Sequence, residues 1–138
     1  MNAWEDAAGP RRLRRGMGLC YNRGMQTRDW RVRFAREMQM AERARAQGNE
    51  GKARVCARRA AGIVAEEYMR RRGITTPPMA AYDRVKFLRT WPELPEGVVE
   101  VIDHMTLRVN ERYELPVDVD LVAEARWLAR ALLGEDLS

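Results

Sequence analysis

His104 is the only histidine in the 138-residue chain, so any imidazole chemistry must run through one ring, acting as general acid, general base or structural hydrogen-bonding group. There is no second imidazole for a metal site. Cys20 and Cys56 are the two cysteines, too few for a zinc set or a disulfide framework, so no metal and no cofactor are expected. Glu66 and Glu67 are adjacent, and adjacent helical positions splay apart, which argues against a two-carboxylate acid/base device. Asp118 and Asp120 precede a helical pattern and read as caps. These residue types name no reaction and do not decide between an enzyme and a binding module.

What the chain offers in quantity is arginine. Residues 1–72 hold 18 Lys+Arg against 8 Asp+Glu, a net of +10, whereas residues 73–138 hold 7 against 12, a net of −5. Lys52 and Lys86 are the only lysines, and the guanidinium of arginine forms a planar fork that pairs with phosphate through two bonds. An arginine-rich half is the electrostatic footprint of a phosphate-bearing partner. Arg54, Arg58 and Arg59, with Lys52, fall on the flank of one helix and could line such a groove. The competing reading is a solvated face paired to Glu50, Glu66 or Glu67. Arg70, Arg71 and Arg72 close the same helix, where cations interact favourably with the macrodipole, each by about 0.3–1 kcal/mol. A third arrangement is a homodimer in which the basic half of one chain meets the acidic half of another.

The elements that must position these groups read as helices. Residues 1–26 are interrupted by Gly9, Pro10, Gly16, Gly18 and Gly24 and crowded with Arg11, Arg12, Arg14 and Arg15, so they read as an N-terminal arm. Residues 27–138 then form a single domain. Trp30, Phe34, Met38, Ala41 and Ala44 recur at helical spacing after Thr27, which can cap the start. Gly48 stops that helix and Asn49 caps the next, a junction short enough only for an antiparallel hairpin. The second helix runs from about Glu50 to Arg72, with Ala53, Cys56, Ala57, Ala60, Ile63, Val64 and Tyr68 inward. Thr75, Thr76, Pro77 and Pro78 reset the direction of the chain. A third helix follows over about 79–91, a fourth from Pro95 to about Val109, and a fifth from Asp118 or Asp120 to Gly134. The fold class is therefore all-α, a five-helix up-and-down bundle built on a long antiparallel hairpin. No apolar run approaches the ~20 residues of a membrane span, so a soluble, cytoplasmic protein with no membrane partner is expected.

The run from Trp30 to Ala41, the Gly48–Asn49 junction and the series Ala53, Cys56, Ala57, Arg58, Arg59, Ala60, Ala61 and Gly73 resemble the opening helix pair of HEPN domains (higher eukaryotes and prokaryotes nucleotide-binding). Arg58 and Arg59 stand where that family has a glutamine pair, and Gly62 and Ile63 stand where it has glutamate and lysine. Leu94 and Pro95 opening a helix, Arg112 and Tyr113 after it, and a closing helix behind an acidic turn are also similar, so the likeness covers about residues 28–133. The resemblance implies a dimerising five-helix bundle that binds nucleotides, RNA or DNA, or docks on a nucleotidyltransferase as in toxin–antitoxin pairs, with metal-free ribonuclease activity in some members.

Nuclease members carry an arginine ahead of a histidine with four to six residues between them. Counting back from His104 lands on Val99, Val98 and Gly97, so the motif is absent in its usual form and no catalytic residue is carried over. Arg108 lies one turn after His104 on the same helix face, in reverse order. The expected assignment is a non-catalytic HEPN-like module whose phosphate candidates are Arg54, Arg58, Arg59, His104, Arg108 and Arg112. A ribonuclease using His104, or a purely structural homodimer, is the alternative.

Overall fold

Glycines and side-chain caps set where each helix starts and stops. The computed structural model describes residues 29–107 and 118–134, and among them there are five helices and no strand. Helix α1 spans Trp30–Ala46, α2 Glu50–Arg70, α3 Ala81–Leu88, α4 Val98–Met105 and α5 Leu121–Leu133. The described residues from Phe34 onward group into one compact unit; of the segment ahead of it, residues 29–33 are described. The expected arm 1–26 and Thr27 lie outside the described residues. Asp29 caps α1, its carboxylate accepting the Arg31 N–H at 3.0 Å.

The α1–α2 junction forms because Gly48 adopts φ +78°, a conformation that costs an L side chain energy. There the Asn49 N–H donates to the Ala44 carbonyl and the Gly48 N–H to that of Arg45, the paired bonds of a Schellman stop. Asn49 then accepts the Lys52 N–H at 3.0 Å and opens α2. The same stop recurs at Gly73, where Ile74 N–H donates to the Met69 carbonyl. Asp120, rather than Asp118, caps α5, accepting the N–H groups of Val122 and Ala123 at 3.1 and 3.2 Å.

Helix α2 is the centre of the bundle and packs against both α3 and α5, while α4 packs against both of those as well. From Ala60 to Met69 only Glu66 escapes burial, so this stretch is enclosed on all sides rather than along one stripe. Its run of alanines, with Cys56 and Gly62, is what lets neighbouring helices come close. At Gly62 a Cβ would lie 2.7 Å from the Ala81 Cβ and 2.9 Å from its Cα. Glycine is required there by the approach of α3, not by backbone conformation.

Ion pairs reveal the sense of the helices. Arg45 at the end of α1 donates to Glu50, at the start of α2, at 2.7 Å and to Asp120, at the start of α5, at 3.0 Å. Arg71, past the end of α2, reaches the Leu133 carbonyl at the end of α5 at 3.5 Å, so α2 and α5 run the same way. Arg126 bonds Glu42 at 2.7 Å, which with the Arg45 contact makes α1 antiparallel to α5 and hence to α2. Gly62 faces Ala81, and Glu66 pairs with Arg84 at 3.6 Å. The connection 71–80, with Pro77 and Pro78, therefore returns alongside the last turns of α2 before α3 begins.

Two expected helices are shorter than their sequence patterns. α3 ends at Leu88, after which Thr90 and Trp91 donate to the carbonyls of Phe87 and Leu88 in tight turns. α4 ends at Met105, where the Thr106 hydroxyl bonds back to the carbonyls of Ile102 and Asp103 and competes with further helix.

The one buried charged residue among those described is Glu67. Arg70 grips it through two bonds of 2.9 and 2.7 Å and Arg71 adds a third at 2.9 Å. The hydrogen bond from Arg70 is the largest influence on its carboxyl; burial opposes it and Arg71 reinforces it, and the pKa falls from 4.5 to about 2. Because the folded-state pKa is depressed, this stabilisation is complete above 4.5 and is lost as pH falls through about 2. Glu67→Gln should lower the melting temperature at neutral pH, and its deficit relative to the parent should shrink across that acid window. Gly62→Ala should destabilise by about 1–3 kcal/mol through overpacking at Ala81, seen in urea unfolding as a lower midpoint with an unchanged slope.

Candidate functional site

The arginines divide into those bound to the protein's own acceptors and those that are not. Arg45, Arg70, Arg71, Arg84, Arg89 and Arg126 each pair with a carboxylate of the chain. Arg58 also turns to the protein. Its Nε donates to the Met105 carbonyl at 2.6 Å and a terminal nitrogen to that of Leu107 at 3.2 Å. The Met105 carbonyl is an open acceptor at the end of α4, and Leu107 lies just past its cap, so a guanidinium from α2 closes a helix 47 residues away. No sequence spacing could have signalled this.

Arg59 is exposed on α2 with Lys52 exposed two turns earlier, whereas Arg54 is half-buried on a different side of the helix. Among the described residues no carboxylate pairs with any of the three. Their expected pairing to Glu50, Glu66 or Glu67 is not found: Glu50 goes to Arg45, Glu66 to Arg84, and Glu67 to Arg70 and Arg71. Lys52, Val55 and Arg59 share one exposed stripe, with Val55 41% accessible. Arg36 and Arg43, one helix earlier, are also exposed. Arg108 and Arg112 lie outside the described residues.

His104 sits on α4 with Nδ1 2.9 Å from both oxygens of Glu124 on α5. Both side chains are mostly covered. A carboxylate at Nδ1 fixes the ring's orientation and directs Nε2 away from it. The sequence reading missed Glu124 because its partner lies 20 residues away, across a chain reversal. The structure thus places His104 with Glu124 and does not show it with Arg54 or Arg59.

On the same pair of helices a cleft of about 410 Å³ opens between Gly97, Glu100 and Val101 of the α4 end and Glu124, Trp127 and Arg130 of α5. Gly97 has φ +90° and caps α4; a Cβ there would meet the Trp127 ring at 3.1 Å. Its bare Cα allows the indole to lie against the backbone, a second reason for glycine at this position. Among the described residues no group of three or more His, Cys, Asp and Glu could hold a metal ion. No described helix is long and apolar enough to cross a membrane.

No protein-family model, no curated protein and no solved structure matches the chain. The site must therefore be read from its own geometry.

Arg58 supplies a check on the division of arginines. Arg58→Ala leaves two carbonyls without their charged donor and should cost about 1.5–3 kcal/mol per charge-assisted bond at most. Hydrogen exchange should show it as lost protection at the Thr106 amide, which closes α4 on Ile102.

Proposed function

We propose that the chain is a non-catalytic helical module of the HEPN type that binds the phosphates of nucleic acid through the flank of α2. The observation that carries this reading is the pair Lys52 and Arg59, two turns apart on the exposed stripe of α2 that also carries Val55, with no carboxylate bound to either among the described residues. Seven other described arginines are paired with carboxylates of the chain. An anionic partner is attracted to such an exposed positive stripe. Solvent exposure also leaves the Arg59 guanidinium open for two-bond contact with phosphate oxygens. A nucleotidyltransferase partner would fit the same surface only through an acidic patch of its own. Pairing of two chains through their basic and acidic halves would cover it in a homodimer.

A ribonuclease reading draws on one feature, the carboxylate-oriented imidazole of His104. General acid–base work on RNA also needs a positive group against the phosphoryl oxygens. The two described arginines bonded beside His104 in sequence are both engaged, Arg58 with Met105 and Leu107 and Arg89 with Asp103.

Fluorescence anisotropy with a labelled single-stranded RNA tests the proposal. Affinity should fall linearly on a log–log plot against salt, with a slope of roughly 0.7 per phosphate neutralised. The double variant Lys52→Gln/Arg59→Gln should weaken binding and reduce that slope by about 1.4, while Arg36→Gln, a charge off the stripe, should leave it nearly unchanged. Equal slopes in parent and double variant would overturn the assignment. Cleavage of the RNA with chelator present, lost in His104→Ala, would replace it with the metal-free ribonuclease.

A further inference from the structure

The cleft between α4 and α5 has a chemistry opposite to that of the α2 flank. Its floor is the half-buried indole of Trp127, pressed against the backbone at Gly97, and its rim carries Glu100 and Glu124. Glu124 already holds His104 through both oxygens. Glu100 is exposed, and among the described residues no cation pairs with it. Arg130, one turn beyond Trp127 on α5, is the cation of this lining and stands toward the opposite end from Glu124, six residues earlier on the same helix. An anion is therefore disfavoured beside Glu100, and a cation is disfavoured beside Arg130.

We propose that this cleft binds the guanidinium of an arginine side chain presented by a peptide segment, stacked on Trp127 and forked onto Glu100. Two physical facts select this group. An aromatic face attracts a cation, and the planar guanidinium stacks on indole where a strongly hydrated ammonium does so less well. A carboxylate in the lining of the same cleft can take two parallel N–H bonds from that fork. The volume of about 410 Å³ falls within the range of small-ligand sites and accommodates one extended side chain. The occupant is an arginine of a second copy of this chain, because residues 1–72 carry a net charge of +10 and residues 73–138, which hold the cleft, a net of −5.

The test uses the full-length, nitrogen-15-labelled protein and the capped tripeptide Gly-Arg-Gly, with the lysine and citrulline tripeptides in parallel. The signal is the Trp127 indole N–H, assigned by its loss in Trp127→Phe. Its shift should saturate with the arginine peptide, need more of the lysine peptide and stay small with citrulline, which keeps the shape and lacks the charge. Glu100→Gln, at an exposed position, should weaken arginine binding about tenfold, as for loss of a charge-assisted pair. No saturable shift, an equal response to citrulline, or undiminished binding by Glu100→Gln would overturn the proposal. Dilution of the peptide-free protein tests the source. A concentration-dependent Trp127 shift that Glu100→Gln removes supports the second copy, and its absence alongside peptide binding overturns that occupant in favour of a separate protein. Neither result depends on the α2 flank, so failure of the RNA experiment leaves this one intact.

Discussion

Close approach to α2 is the constraint on which the rest of the bundle depends. A helix enclosed on every side must present small residues wherever another backbone crosses it, because interiors pack at crystal-like density and have no slack for an extra methylene. Ala57, Ala60, Ala61, Gly62 and Ala65 meet that requirement in one run. The contact of Gly62 with Ala81 fixes where α3 begins, and the connection with Pro77 and Pro78 has the length needed to reach that point. Helix α5 lies along the same central helix, and α4 is held between α3 and α5. The apolar contacts of short helices such as α3 and α4, eight residues each, exist only because α2 provides a surface for them; alone they are below the length at which helices persist in water.

Electrostatics is organised around the same helix. Both of its ends are anchored by guanidinium groups that also touch α5: Arg45 through Asp120 at the start and Arg71 through Leu133 at the finish. Burial works to raise the pKa of Asp120, and the bond from Arg45 with those from the Ala123 and Val122 amides outweighs it, so the carboxyl is held below its ordinary value. Exposed pairs such as Arg89 with Asp103, each about half accessible, contribute far less than their geometry suggests, since water and salt screen them. The asymmetry of charge along the chain thus resolves into two populations. One is bonded to the chain's own acceptors, and the other, which includes Lys52 and Arg59 of α2 and Arg36 and Arg43 of α1, is exposed.

Local signals were readable because local physics sets them. Gly48, Asn49, Gly73, Asp120 and Gly134 act within five residues of themselves, and each stop or cap falls where turn chemistry requires. The inward stripe of α2 was legible for the same reason, since helical periodicity is a property of the segment alone. What periodicity could not show was that the second half of α2 is surrounded. The candidate site was less legible: Lys52 and Arg59 share an exposed stripe as their spacing indicates, whereas Arg58 turns to a carbonyl acceptor supplied by α4. The pairs His104 with Glu124 and Gly97 with Trp127 depend on how α4 lies against α5, and nothing in either segment encodes its partner. The over-long expectations for α3 and α4 have a similar origin, because apolar spacing continues past the point where Thr90 and Thr106 bond back to the chain.

The double grip of Arg45 carries a lesson about the order in which this molecule assembles. Its bond to Glu50 spans five positions, while its bond to Asp120 spans 75. Loop-closure entropy grows with the logarithm of that span, so the distant contact costs about 2–3 kcal/mol more to establish than the near one. A nascent chain can therefore settle the α1–α2 turn as soon as both arms exist, with the guanidinium already oriented by Glu50. The carboxylate of Asp120 then meets a prepositioned donor, and the terminal helix arrives last onto a surface that was waiting for it.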